Sequence, residues 1–163
     1  MIQEEFNLVR WAIEADIPRI NVLRKQVSDL HVQGRPDVFH GFSQALADRA
    51  GELIQREDAG IAVCEREGVI EGFASVLYVD KPASPYRHPQ HFLHIEEFGV
   101  DEACRRQGVG RELMDWLRRL ASETGYTRLE LDMWAFNEGA LDFYEAVGFK
   151  VYRKYLEMFT EDA

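Results

Sequence analysis

Apolar residues recur along this chain with two different periods, and the switches between them mark its elements. Residues 8–13 alternate, with Val9, Trp11 and Ile13 on one side, and predict a first strand. Asp16 then caps a helix, Ile17-Pro18 suits its first turn, and Ile20, Leu23, Val27 and Leu30 follow at helical spacing. The stretch His31-Val32-Gln33-Gly34-Arg35-Pro36 interrupts that period and is expected to end the helix. A second helix is expected over 43–55, with Leu46, Ala50, Leu53 and Ile54 on its inner face. Strands over 60–66 and 70–79 meet at the tight turn Glu67-Gly68, which makes them an antiparallel hairpin. Pro82, Pro85 and Pro89 make 80–90 a loop.

Residues 92–100 are mostly apolar, β-branched or aromatic and carry no proline, as expected of a strand covered on both faces. From Val109 the period changes: Val109, Leu113, Trp116, Leu117, Leu120 and Ala121 form the stripe of a helix packed on a sheet. Leu129, Leu131 and Met133 alternate with charged residues and predict a strand over 128–133. Asn137 caps a short helix whose Leu141, Tyr144 and Val147 share a face, and Gly148 is placed for a left-handed C-terminal cap with Phe149 folding back. Alternation over 151–159 predicts a last strand.

Length and composition bear on the number of domains. The 163 residues, 46% of them hydrophobic, suffice for one core, and no linker or repeat divides them, so a single domain over 1–163 is expected. No apolar run approaches a membrane span, and MIQEEFNLVR lacks the charged and apolar regions of an export signal, so a soluble, cytoplasmic protein with no membrane partner is expected. Cys64 and Cys104 have no metal-binding spacing and read as free thiols. The net charge of −10 disfavours nucleic acid and favours cationic partners. His88, His91 and His94 recur every third residue, but on a strand His91 and His94 point to opposite faces, so no metal site is expected. Trp11, Trp116 and Trp134 read as core or cleft wall.

Against this acidic background the loop Arg105-Arg106-Gln107-Gly108-Val109-Gly110 is locally basic, and Arg111 follows it. Two glycines at a helix entry let successive N–H groups turn inward, making a nest for a phosphate or pyrophosphate backed by the helix dipole. Leu113 stands where the dinucleotide fingerprint needs glycine, and the Gly-Lys-Ser/Thr of a P-loop is absent. What matches is R-x-x-G-x-G, read as Arg105, Gly108 and Gly110 between an apolar strand and an amphipathic helix. Here the sequence resembles the GNAT superfamily of acyl-CoA-dependent N-acyltransferases. A second segment resembles it too: N-x-x-A-x-x-F-Y-x-x-x-G-F, matched by Asn137, Ala140, Phe143, Tyr144, Gly148 and Phe149.

The resemblance covers the whole order β-α-α-β-β-β-α-β-α-β and implies an α/β (α+β) fold. It implies a mixed, twisted sheet of six to seven strands with about four helices, whose central strands splay to leave a cleft for the cofactor. It further implies acetyl-CoA as co-substrate, no metal, and attack of a neutral primary amine on the thioester. Pantetheine would add along the strand at the Phe98 and Val100 backbones. Its pyrophosphate would lie on Arg105, Arg106, Gln107, Gly108, Val109, Gly110 and Arg111, with Asn137 as a further contact. Ile95-Glu96-Glu97-Phe98 resembles the Leu-Glu-Asp-Phe segment of diamine acetyltransferases, making Glu96 the candidate base and Glu97, on the opposite face unless a bulge intervenes, the second choice. Tyr144 is the candidate general acid by its place in the motif. In the resemblance the first two helices and their connection form an acceptor wall, with His31, Asp37, Phe39 and His40 as candidate contacts; His94, on the strand at the same parity as Glu96, is a further candidate. The expected acceptor is a small cationic amine, such as a polyamine or aminoglycoside. A protein lysine or N-terminus is the alternative acceptor, a non-catalytic acyl-CoA-binding module the alternative function, and a homodimer is compatible with the sequence.

Overall fold

A computed structural model describes residues 8–161. Its strands are β1 (Leu8–Trp11), β2 (Ala59–Arg66), β3 (Val69–Lys81), β4 (Gln90–Val100) and β5 (Leu129–Leu131); its helices are α1 (Ile17–Gly34), α2 (Gln44–Ile54), α3 (Val109–Glu123) and α4 (Glu138–Ala146). The backbone divides into two compact units, one ending at Asp132 and the other beginning at Met133. Most of the stretch relevant to an export signal, residues 1–7, lies outside the described range. Among the described residues no helix is long and apolar enough to cross a membrane.

The first unit is one sheet in chain order, β1 to β5, with antiparallel neighbours up to β4 and β5 parallel to β4. Only the last connection needs a crossover, and α3 supplies it. Phe73, Ile61 and Val63 on one face pack with Ile20 and Leu23 of α1 and Ala50 and Leu53 of α2. The other face takes α3, whose Val109 and Leu113 lie over Gly72 so closely that a Cβ there would stand 2.7 and 3.0 Å from them. Trp11 meets Trp116 of α3 edge-on at 4.9 Å. The hairpin turn forms as expected: Glu67 and Gly68 have φ of 50° and 78°, the left-handed pair that matches strand twist.

Three expectations change. Helix α1 runs past His31 to Gly34, where Arg35 leaves helical geometry because the ring of Pro36 excludes it; His31 therefore sits on the last turn of a helix. Leu30 is 37% exposed and the interior position falls instead to Arg24, 4% exposed. Asp16 is at the N-cap but bonds nothing in the helix; its carboxylate accepts the Ile13 N–H at 2.8 Å and the Arg10 guanidinium at 2.7 Å, tying the turn to β1.

In the second unit Asn137 caps α4 as read, its Oδ1 accepting the Ala140 N–H at 3.4 Å. Gly148 has φ of 109°, and the Phe149 N–H returns to the Tyr144 carbonyl at 2.9 Å. The strand expected over 151–159 is not formed. Among the described residues the segment belongs to no ladder, and its side chains are exposed. Alternation makes a segment fit for a strand, but only a neighbour's hydrogen bonds make it one. The sheet thus has five strands where six to seven were expected, with helices flanking it as anticipated.

Candidate active site

The geometry turns on one extra residue in β4. Ser75 pairs with Glu97 while the next residue, Val76, pairs with Ile95, so Glu96 is inserted as a β-bulge. Without it Glu96 and Glu97 would face opposite sides of the sheet; with it both reach the side covered by α1 and α2. Glu97 is gripped by Arg24 of α1, whose Nε and Nη2 donate to its two oxygens at 2.9 and 3.0 Å. Arg24 Nη1 also donates to Asn21 Oδ1 at 3.0 Å and to the Leu46 carbonyl, and the Phe42 ring lies 5.7 Å from the guanidinium. Glu96 Oε1 accepts from Arg49 Nη2 of α2 at 2.5 Å. Its Oε2 is buried, and so is Ser75 Oγ opposite the bulge; among the described residues neither has a hydrogen-bond partner. Two orphaned polar atoms flanking one bulge mark a place built for a polar ligand or water.

Arg24 and Arg49 are the residues that the sequence reading missed. Position 24 does lie on the stripe of Ile20, Leu23 and Val27, and that placement was the available signal for a buried guanidinium. Of the acceptor-wall candidates, His31 stacks on Phe39 with ring centres 5.0 Å apart. Burial pushes the His31 imidazole below its usual range, opposed by the Glu97 carboxylate nearby. His94 lies on the Glu97 side of β4, with Nδ1 3.5 Å from Glu130. Asp37 is forked by Arg35 at 2.9 Å and His40 is exposed, so neither joins this group. His91 bonds Asp80 at 2.7 Å, away from His94, and among the described residues no three potential ligands gather around a metal position.

Beyond the bulge, β4 runs on to Val100 while its pairing with β5 stops at Ile95 and Leu131. The strands part there, and Phe98 and Val100 lie on this stretch. A short turn then leads to the loop, where Arg106 and Gly108 have φ of 63° and 87° on either side of Gln107. Such left-handed residues aim consecutive N–H groups inward at the start of α3. A Cβ on Gly108 would meet nothing within 4 Å, so the cradle is open above it. Gln107 is anchored, its Oε1 accepting from Arg66 Nη2 at 2.5 Å, and Arg66 in turn holds Glu71. The Val109 side chain is buried beneath the helix, leaving its N–H as the group it can offer, while Arg105, Arg106 and Arg111 are exposed around the loop. The parts present suit a pyrophosphate: N–H donors, an open cradle and three surrounding cations.

In the second unit the Tyr144 ring packs edge-on against Phe143 at 5.5 Å and Phe149 at 5.8 Å. Burial pushes its phenol up to about 12. It is therefore protonated at neutral pH and able to donate.

Known proteins resemble this chain in sequence or in fold. Human N-acetyltransferase 8 is 31% identical over 105 residues, covering 64% of this chain and 44% of that protein. An uncharacterised N-acetyltransferase of Methanocaldococcus jannaschii is 28% identical over 103 residues, covering 60% and 42%. The chain thus spans less than half the length of these curated relatives. Among solved structures, a mutant of the BH1408 protein of Bacillus halodurans superposes with a TM-score of 0.91 at 25% identity, covering 94% of this chain and 99% of that one. The aminoglycoside N-acetyltransferase AAC(6')-Iy, solved in complex with CoA, does so at 0.76 with 18% identity and 99% of each chain, a likeness of fold alone. Residues 25–149, which hold Glu96, the glycine loop and Tyr144, match the acetyltransferase (GNAT) family, and the chain belongs to it.

Proposed function

We propose that this protein transfers the acetyl group of acetyl-CoA directly to a primary amine, as a single acetyltransferase domain. The observation that carries the reading is on β4: one strand presents Glu96, with a buried and unsatisfied oxygen, and then leads into an open N–H cradle fit for a pyrophosphate. Acetyl-CoA would supply the acyl group as a thioester, already activated toward nitrogen, so neither metal nor covalent enzyme intermediate is required. The loop from Arg105 to Arg111 would hold its phosphates and the Phe98 and Val100 backbones its extended arm, and Asn137 is assigned as a further cofactor contact.

Glu96 is assigned as the base. As the N–C bond forms and the C–S bond breaks, the acceptor nitrogen gives up a proton to Glu96, directly or through water, and the departing sulfur gains one from the Tyr144 hydroxyl. Glu97 is the lesser choice because Arg24 occupies both its oxygens. His31, Phe39 and His94 are assigned to the acceptor wall. The two free thiols, Cys64 and Cys104, are in keeping with work in the reducing cytoplasm.

A strongly cationic acceptor, expected from the acidic chain and its carboxylate pair, loses its local basis, because each carboxylate already has an arginine. The different-class rival is a module that binds acyl-CoA without turnover. Thiol release from acetyl-CoA across a panel of amines separates the two. Release with any amine supports transfer, whereas CoA binding by calorimetry with no release across the panel supports the module. A protein acceptor would instead show as acetylation of peptides in preference to small amines.

A further inference from the structure

The two ion pairs beside the bulge are built differently, and the difference bears on which amine this site takes. Arg24 and Glu97 form a closed pair. The guanidinium is forked on both carboxylate oxygens, bonded to Asn21 and Leu46, and its side chain is 3% exposed. Arg49 and Glu96 form an open one. A single N–H joins them, the side chains are 38% and 27% exposed, and among the described residues Arg49 has no second hydrogen-bond partner. Arg56 adds its positive field to Glu96 while being held by Asp58.

The open pair therefore leaves two complementary demands side by side. Glu96 Oε2 and Ser75 Oγ are buried and need polar partners, which an amine N–H can supply. Arg49 keeps unused N–H donors in the fork geometry that suits a carboxylate. A polyamine answers only the first demand and brings further positive charge toward Arg49. One small molecule with an amine and a carboxylate on the same or neighbouring carbon answers both, and its charges sum to zero, as those of Arg49 and Glu96 do. Resting on the acetyltransferase reading above, we propose that the acceptor is a zwitterionic amino acid or amino-acid-like compound. Glu96 takes its amine, and Arg49 is the residue that binds its carboxylate and sets specificity.

The test is thiol release from saturating acetyl-CoA with matched acceptors, L-phenylalanine against phenethylamine and L-lysine against cadaverine. Wild type, Arg49→Gln and Arg49→Lys are each confirmed as folded by their melting curves. For wild type the carboxylate-bearing member of each pair is expected to have the higher kcat/KM by about 10- to 100-fold, the effect of a charged hydrogen-bond partner, and to show it mainly in KM. Arg49→Gln should bring that ratio close to one and Arg49→Lys should restore part of it. Differences in amine basicity cancel when the ratios of wild type and variant are compared. A wild-type preference for the amines without carboxylate, or a ratio that Arg49→Gln leaves unchanged, overturns the zwitterionic acceptor and leaves acetyl transfer standing. No release with any acceptor overturns acetyl transfer itself.

Discussion

Arg24 is a charge in the middle of a helix's inner face, and its removal is the single substitution with the clearest cost. Arg24→Ala would strand Glu97 and leave the Leu46 carbonyl and Asn21 without their donor. Because Glu97 keeps 24% of its side chain exposed, the loss should fall at the low end for a broken buried pair, about 3 kcal/mol, read as a fall in the urea midpoint at unchanged slope. Replacing both partners together, Arg24→Met with Glu97→Leu, should recover much of it, which no purely steric role for Arg24 would allow. Tyr144 makes the opposite kind of prediction, one of rate without stability. Tyr144→Phe removes only the hydroxyl, so turnover should drop by about 100-fold or more while CoA affinity stays within about twofold. The raised phenol pKa fixes the sign of its pH dependence: the proton is held as pH rises and is lost only near 12, so this group gives wild type no alkaline fall in rate through ordinary pH. Glu96 and Tyr144 could be singled out because they sit in motifs. Arg24 offered only its place on the inner stripe of α1 and Arg49 offered nothing, since an arginine looks the same in a sequence whether its partner is water or a carboxylate from a distant strand.

Among the elements, two glycines of β3 and the loop before α3 do different work, and one substitution at each should tell them apart. A Cβ at Gly72 would press on Val109, Leu113 and the Gly99 carbonyl, so Gly72→Ala should push α3 from the sheet and cost about 1–3 kcal/mol by overpacking. At Gly108 the space is open and only the backbone objects. Gly108→Ala should cost about 1–2 kcal/mol through its φ of 87°. It should weaken CoA binding more than Gly72→Ala does, by disturbing the cradle itself; comparable CoA affinities by calorimetry would count against the loop assignment. Elements whose cause is local were legible in the sequence. The helix expected from Ser43 forms as α2, with Ser43 as its cap accepting the Leu46 N–H, and the Glu67-Gly68 turn and the left-handed Gly148 follow from backbone preference. Elements whose cause is distant were not: the end of α1 waited on Pro36 rather than on its polar run, and 151–159 had the alternation of a strand without a ladder to join.

For the molecule as a whole, the net charge of −10 is a poor guide to its site, where charges are matched one to one. Its acid stability depends instead on carboxylates that arginines hold in the folded chain. Asp101, where β4 gives way to the loop, binds Arg19 at 2.5 Å and Gln26 at 3.2 Å of α1. The Arg19 hydrogen bond holds its carboxyl below the usual aspartate range. A lowered folded pKa contributes stability that is complete above the unfolded value, about 3.9, and fades as pH falls through the lower folded one. Asp101→Asn should thus be less stable than wild type near neutral pH, by about 1–3 kcal/mol. The gap should narrow below about pH 4, in parallel denaturation curves. A gap independent of pH would mean that packing, not the carboxylate charge, holds this junction. The order of elements as far as α4, and hence the family, was readable from periodicity and two motifs; which side of the sheet each charge faced was not, because that depends on a register no single strand declares.

The inserted Glu96 gives β4 an outlet for loss but none for gain. Deleting it would leave Ile95 and Glu97 adjacent, still opposite Val76 and Ser75, so the ladder would become regular while Glu97, Phe98, Gly99 and Val100 kept their places and the candidate base was lost. A further residue inserted after Glu97 would instead turn Phe98 into the place of Gly99, where even a Cβ comes within 2.8 Å of Val27 and 2.9 Å of Phe73. In a family line descending from this chain, β4 would be expected to lose its bulge far sooner than to gain a residue beyond it.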